Sequence, residues 1–223
     1  MTTPIDALRQ QQAAQRAEFI VGHYLELHPD GELNKHVRAG QMSLVAAYEL
    51  LKDISRDPKT GLTRSDLLSM TLSYEIDRAH RDHQPLTVAV FDLDFFKKIN
   101  ELLGHLGADQ ILHRVGQILH EQIRASDDIL QATESHDVVR WGGEEFIVIF
   151  PNTQLVAAAI AADRIRRAIQ DGIVVPDHPG HQVTVSGGLA VLTPGDTWEL
   201  LLQRADQQVL AAKSAGRNRI AYA

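Results

Sequence analysis

Two carboxylates follow two glycines at the mouth of an apolar run in the stretch RWGGEEFIVIF, Arg140 to Phe150. Carboxylates in such a place normally need a cation, because burying an unpaired ion is costly. Gly142 and Gly143 lack Cβ atoms, so a triphosphate can lie close to the backbone, where an acid such as Glu144 can hold its magnesium ion. The alternative is an ordinary hairpin with solvated glutamates.

A second candidate lies in FDLDFFKKIN, Phe91 to Asn100, where a buried-strand run stops at an acid and becomes a basic, aromatic loop. Strand alternation predicts Asp92 and Asp94 on one face, and the carbonyl of Leu93 could join the two acids in a hard-cation site. The alternative is a turn acid that caps a backbone amide.

The third candidate is AAKSAGRN, in which Lys213 and Arg217 stand four residues apart where a helix is expected to end at Gly216. Both side chains could reach phosphate oxygens. Alternatively, they only complement the negative end of the helix dipole.

Composition restricts the partners. The chain has 22 basic and 29 acidic residues among 223, a formal charge of −7, which argues against polymeric nucleic acid but permits a small phosphorylated ligand. The absence of cysteine suits a cytoplasmic location and excludes thiolate metal sites. The N-terminus does not resemble a signal peptide, and the longest apolar helical stretch, 155–162, is too short for membrane insertion.

Residues 1–56 are predicted to form a helical segment. Apolar spacing indicates one helix over 5–27 and a second over Glu32–Arg56, which carries an a/d stripe of under three heptads. This second helix is either a dimerising stem or a helix packed on its own domain. The stripe consists of Val37, Gly40, Leu44, Ala47, Leu51 and Ile54.

A turn over 57–61 marks the predicted domain boundary, and residues 57–223 form the second domain. Thr63 and Asp66 form a capping-box signature for a helix through about Arg81. The predicted elements that follow are strand 86–93, helix 106–124, a hairpin around Gly142, helix 153–170, strand 183–192 and helix 197–214. Their order predicts an α/β or α+β sheet layered with helices.

Taken together, FDLDFFKKIN, GHLGADQIL, RWGGEEF and AAKSAGRN resemble the GGDEF family of diguanylate cyclases in its GGEEF form, over about residues 57–221. The resemblance implies a nucleotidyl-cyclase, polymerase-palm-like central sheet surrounded by helices. The implied activity condenses two GTP into cyclic di-GMP and releases two pyrophosphates. Each domain would hold one GTP, so the resemblance also implies a homodimer.

By this resemblance, Asp92, the Leu93 carbonyl and Glu144 hold two magnesium or manganese ions per active site. Glu145 would help as a base or orient the site. The metal would activate the 3′-hydroxyl for in-line attack on the α-phosphorus of the second GTP.

The resemblance also assigns substrate contacts. Asn100 and Asp109 would contact the guanine edge, since a carboxylate accepts from the N1 and N2 donors. The phosphates would contact the hairpin at Gly142 and Gly143 and the backbone of Phe95, Phe96 and Lys97. The side chains of Lys213 and Arg217 would also bind the phosphates.

The sequence leaves two points open, namely whether the chain has the family's inhibitory site and whether the domain is catalytically active. Arg124 and Asp127 have the RxxD form of the family's inhibitory site, but about nine extra residues near 128–136 separate them from the hairpin; a solvated pair at a helix end is the alternative. The usual opening D-x-L-T-G-L-x-N-R is DPKTGLTRS here. The alternative function is a catalytically silent GGDEF module that binds GTP or cyclic di-GMP as a signalling receptor.

Overall fold

A computed structural model describes residues 4–130, 137–175, 178 and 180–223, with the backbone alone for 4, 5, 9 and 124–130. Within this part of the chain, six strands form one mixed sheet in the order β1-β3-β4-β2-β5-β6. The strands are β1 Thr63–Arg64, β2 Leu86–Leu93, β3 Asp137–Gly142, β4 Glu145–Pro151, β5 Val185–Val191 and β6 Ile220–Tyr222. Predicted strand 86–93 is confirmed to the residue as β2.

The centre of the sheet is antiparallel and its edges are parallel. The strand β2 pairs antiparallel with β4 on one side and with β5 on the other, while β1 runs parallel to β3 and β6 runs parallel to β5. Because β2 is central and buried on both faces, nearly all of its side chains are apolar until Asp92.

Helices cover both faces of this sheet, which confirms the predicted fold class. They are α4 Leu68–Asp82, α5 Phe96–Leu130, α6 Leu155–Gly172 and α7 Trp198–Ser214. One apolar core lies under α5 and α6 and contains Phe91 and Phe146, while the other lies under α4 and α7 and contains Val90 and Ile147. Alternate residues of β2 and β4 therefore enter opposite cores, as the period of a strand requires.

The long helix α5 breaks at Gly104, whose backbone has φ 67° and ψ 177°. Only glycine adopts this conformation without a steric penalty. Sequence analysis predicted that the helix begins at Leu106, whereas the structure adds a first helical part that begins at Phe96. The break gives the two halves separate directions at the point where the predicted nucleotide site lies.

The N-terminal part consists of α1 Pro4–Leu27, α2 Glu32–Arg38 and α3 Leu44–Ile54. The predicted single helix over Glu32–Arg56 is wrong. The chain turns between α2 and α3, where Gly40 has a left-handed φ of 68°, and Ser43 then caps α3 by accepting from the Ala46 amide. A new start with its own cap makes the segment two helices.

The buried members of the a/d stripe pack within the chain. Ala47 and Leu51 are fully buried against Ile20 of α1, in a cluster that also includes Met70 of α4. This packing agrees with the alternative of a helix packed on its own domain. The division into domains at residue 57 stays a prediction, and so does the role of the segment in dimerisation.

The predicted capping box at Thr63 is also wrong. Thr63 lies in β1, opposite Val139 of β3, and a short 3-10 turn over Ser65–Leu67 separates it from α4. The pairing of β1 with β3 therefore decides the conformation of Thr63, and the local capping pattern does not.

No helix among the described residues is long and apolar enough to span a bilayer.

Candidate active site

The β3–β4 hairpin turns at Gly143 and Glu144. Sequence analysis predicted Gly142 and Gly143 as the turn pair, which is wrong by one residue: Gly142 still pairs with Glu145. The ladder shifts register between Arg140 and Gly142, so an extra residue enters the strand before the turn. Gly143 takes the left-handed φ of 44°, which puts Glu144 at the tip and Glu145 at the start of β4.

Three acidic residues meet where β2 ends. Asp92 stands directly opposite Glu145 in the β2–β4 ladder, and the Leu93 amide donates to the Glu144 carbonyl at 3.3 Å. Burial raises the pKa of Glu145, and the negative charges of Asp92, Asp206 and Glu144 raise it further, while Lys213 opposes them. The β2 and β4 strand ends thus concentrate negative charge, and Asp206 of α7 adds to it.

Lys213 carries a positive charge into this cluster. Its Nζ lies 2.6 Å from Asp92 Oδ2, and both side chains are largely buried. The lysine can reach because α7 packs very closely on β5: a Cβ on Gly188 would lie 2.2 Å from the Ala205 carbonyl. Glycine at 188 therefore lets the last turn of α7 approach the end of β2.

The donor set suits a hard divalent cation. Carboxylate and carbonyl oxygens are the ligands that magnesium prefers, and the crowded acids would be relieved by a cation. Within the described residues, no three His, Asp or Glu side chains are grouped as a ready-made metal site. The carboxylates and the carbonyl at the end of β2 would supply only some of the ligands of an ion, which would take the others from substrate phosphates and water.

A turn with an exposed aromatic ring and two cations leads from the end of β2 into α5. Phe95 has a left-handed φ of 56° and an exposed ring, and α5 begins at the next residue. The guanidinium of Arg217 lies 4.5 Å from the centre of that ring, and Lys98 Nζ lies 4.8 Å from it. The positive end of a helix and two cations thus surround one exposed aromatic ring.

The prediction that Asp94 joins Asp92 in binding metal does not agree with the contacts of Asp94. The Asp94 side chain is 4% exposed and accepts from Thr184 Oγ1 at 2.8 Å, Ser186 Oγ at 2.7 Å and the Asn218 amide at 3.0 Å. It therefore fixes the turn after α7, and with it Arg217, to the end of β2. The sequence did not indicate that Asp94 has this structural role.

The two predicted guanine contacts lie on either side of the Gly104 break. Asn100 is half-buried, and its amide donates to the Phe96 carbonyl at 3.2 Å. Asp109 is partly exposed in the second part of α5, where Lys59 Nζ lies 2.7 Å from its Oδ1. Lys59 lies in the 57–61 turn that the sequence predicts, but its pairing with Asp109 was not predicted because the two residues are 50 positions apart in the chain.

An arginine bridge holds the hairpin tip in place. Arg140 Nη1 donates to Asp57 Oδ1 at 2.8 Å, and its Nη2 donates to the Gly143 carbonyl at 2.7 Å. Burial opposes ionisation of Asp57, but the hydrogen bonds from Arg140 and Thr60 prevail and lower the pKa of its carboxyl. The turn at the predicted boundary is thus tied directly to the glycine hairpin.

The remaining predicted residues have less definite positions. Lys97 is exposed in the first turn of α5, and Phe96 is buried in the core, so only its backbone can face a ligand. Arg124 and Asp127 lie near the end of α5, where the side chains fall outside the described part. The inhibitory site and most of the proposed insertion, 131–136, are therefore untested.

A sequence profile described as "Diguanylate cyclase, GGDEF domain" matches residues 54–219. The chain belongs to the GGDEF family. Diguanylate cyclase DgcP of Pseudomonas aeruginosa is 37% identical over 170 residues, which are 75% of this chain and 24% of DgcP. The chain therefore spans about a quarter of this curated relative, and 35% of the response regulator PleD of Caulobacter vibrioides.

Solved GGDEF structures have the same fold. Diguanylate cyclase SiaD of Pseudomonas aeruginosa, solved with its activator SiaC, aligns with a TM-score of 0.72 at 28% identity and covers 98% of this chain and 81% of SiaD. The GGDEF domain of DgcB from Caulobacter crescentus, solved with c-di-GMP, gives 0.67 at 26% identity, covering 76% and 93%. These neighbours confirm the predicted palm-like cyclase fold.

Proposed function

We propose that this GGDEF chain is an active diguanylate cyclase of the GGEEF form, which condenses two GTP into cyclic di-GMP and releases two pyrophosphates. The observation that carries the proposal is the ion pair between Lys213 and Asp92, which stands directly opposite Glu145 and next to the hairpin turn that holds Glu144. The contact between Arg217 and the Phe95 ring lies just beyond the end of the same strand. Names of relatives such as DgcP and SiaD support this function.

The chain's own groups account for substrate binding. Lys213 and Arg217 bind the β- and γ-phosphates, and their fixed charge helps pyrophosphate leave. The Gly142 and Gly143 backbone and the first amides of α5 bind the other phosphate oxygens. Asn100 and Asp109 bind the guanine edge, where Asp109 accepts from the N1 and N2 donors.

Two magnesium or manganese ions, held by Asp92, Glu144 and the Leu93 carbonyl, would lower the pKa of the 3′-hydroxyl and neutralise phosphate charge. Glu145 has a raised pKa and stands opposite Asp92, so it can hold a proton near the reacting hydroxyl or orient Asp92. Nucleotide phosphates offer Lys213 an alternative partner, and its departure leaves Asp92 open as a ligand.

The reaction requires a homodimer in which two sites face each other, because each site supplies one of the two GTP molecules. We propose the N-terminal helices as the place where this pairing is controlled. SiaD, which aligns over nearly this whole chain including these helices, was solved with an activator protein, so a protein of similar fold has a regulatory partner.

The alternative, a silent receptor module, needs a nucleotide site but no acid cluster. The presence of Asp92, Glu144, Lys213 and Arg217 together favours the enzyme, since a receptor gains nothing from crowded acids that raise the pKa of Glu145.

The test is incubation of the purified chain with GTP and magnesium, followed by chromatography of the nucleotides and an assay for pyrophosphate. We expect cyclic di-GMP with two pyrophosphates per product, and no cyclic product from ATP alone. GTP binding without pyrophosphate release would support the receptor instead.

A further inference from the structure

The Lys59–Asp109 contact links a turn to the base-binding part of the candidate site. The ammonium of Lys59 lies 2.7 Å from Asp109 Oδ1, and both side chains are partly exposed, at 47% and 34%. A ligand can therefore reach both groups. An exposed ion pair contributes little stability, so stability alone does not explain why a lysine lies at this position.

The turn that carries Lys59 is rigidly built. Asp57 Oδ1 accepts from the amide of Thr60 at 2.9 Å and from its hydroxyl at 2.8 Å, and the Gly61 amide donates to the Asp57 carbonyl at 2.8 Å. Arg140 ties the same carboxylate to the hairpin. The backbone of Lys59 is therefore held at a fixed position relative to the catalytic hairpin.

The same turn also packs against the helix face that carries Asp109. The Lys59 carbonyl lies 3.1 Å from His113 Nδ1, and a Cβ on Gly116 would lie 2.5 Å from the Thr60 carbonyl. Positions 109, 113 and 116 lie on one face of α5. Lys59 and Asp109 thus belong to two elements in close, fixed contact, so their pairing follows from the architecture.

We propose that Lys59 is a specificity-determining residue that donates to O6 of guanine while Asp109 accepts from N1 and N2; this assignment rests on the proposed function. An ammonium has three donors and only one is directed at Asp109 Oδ1. On guanine the O6 acceptor neighbours the N1 donor, so a cation bound to the carboxylate lies beside O6. Adenine carries an amino group at that position, which offers the ammonium of Lys59 no acceptor for a hydrogen bond.

Binding of nucleoside diphosphates tests this directly, because a diphosphate cannot release pyrophosphate from its α-phosphorus and so does not react. GDP and 6-thio-GDP differ only at the O6 atom, where sulfur is the weaker acceptor. IDP lacks the N2 amino group but keeps O6. Calorimetry with magnesium measures all three affinities for the wild type, for Lys59→Met and for the control Lys52→Met, which removes an ion-paired lysine of α3 outside the site.

We expect the wild type and Lys52→Met to prefer GDP to 6-thio-GDP by about threefold or more, as for one charge-assisted hydrogen bond. Lys59→Met should lose that preference and keep the preference for GDP over IDP. An unchanged ratio, or tighter GDP binding by Lys59→Met, would overturn the role of Lys59. If the wild type binds neither GDP nor GTP, the proposed function itself fails, and the Lys59 assignment fails with it.

Discussion

The ammonium of Lys213 lies 2.6 Å from the carboxylate of Asp92, at the end of the central strand. If Asp92 is a metal ligand, as we propose, Lys213 and a divalent cation would compete for that carboxylate when no nucleotide is present. We then expect a metal ion to bind well only after phosphates draw Lys213 away, which would couple metal binding to substrate binding.

Lys213→Met should therefore raise the affinity for Mn²⁺ in the absence of nucleotide and abolish most of the GTP turnover. Loss of the competing cation should tighten Mn²⁺ binding several-fold, measured by electron paramagnetic resonance of free Mn²⁺. Lys52→Met, which changes an ion pair outside the site, should match the wild type. Unchanged Mn²⁺ affinity in Lys213→Met would show that Asp92 is not a metal ligand.

Asp109→Ala should weaken the preference for guanine over adenine nucleotides. Losing a good polar contact to a base costs about 1 to 3 kcal/mol, so the ratio of GDP to ADP affinity should fall roughly tenfold. Calorimetry with the two diphosphates measures this without turnover. Retention of the wild-type ratio would remove Asp109 from the base site.

The Arg140–Asp57 bridge predicts a pH-dependent stability difference. Because its partners lower the pKa of Asp57 below 3.8, the bridge stabilises the fold above that pH and is lost as the pH falls through the lowered value. Asp57→Asn should be less stable than the wild type by about 1 to 3 kcal/mol at pH 7, and the gap should close below pH 3.8.

Urea denaturation across that pH range measures the effect, with Asp53→Asn as a control because its pair with Arg56 is exposed. The control should change stability by less than about 1 kcal/mol at any pH. A gap that persists undiminished in acid would mean that the Asp57 charge is not the stabilising group.

Arg16 anchors α1 to α4 and to β3 through two acids, the buried Glu75 and the partly buried Asp137. Its guanidinium contacts Asp137 at the start of β3 and lies 3.6 Å from Glu75. Burial disfavours its charge, but Asp137, Tyr48 and Glu75 outweigh this and raise its pKa. Arg16→Met should cost roughly 3 kcal/mol in urea denaturation, as for breaking a buried pair. Lys35→Met removes an exposed pair and should leave the free energy of unfolding nearly unchanged.

Local patterns predicted the parts of this molecule that local chemistry decides. The apolar run before Asp92 predicted β2, and the glycine pair with its flanking strands predicted the hairpin. The turn shifted by one residue because a bulge beside Trp141 changes the register, and no local pattern signals a bulge. Thr63 does not cap the predicted helix because it pairs with β3, which is remote in sequence.

The supporting contacts of the site were beyond sequence reasoning for the same reason. Asp94 binds Thr184, Ser186 and the Asn218 amide, and the pairing depends on where β5 and the end of α7 lie in space. Lys59 and Asp109 meet across 50 residues of sequence. The motifs predict which groups do chemistry, whereas the sheet order determines which groups hold them in position.

Glu144→Gln gives the most direct test of diguanylate cyclase activity, with cyclic di-GMP formed from GTP and magnesium measured by chromatography at matched protein concentrations. The change keeps the size of the side chain and removes one negative charge from an acid cluster at a hairpin tip. We predict that the wild type forms cyclic di-GMP, that the variant loses nearly all turnover, and that its metal-free melting temperature is unchanged or higher. Absence of product from the wild type, or wild-type turnover by Glu144→Gln, would contradict the account.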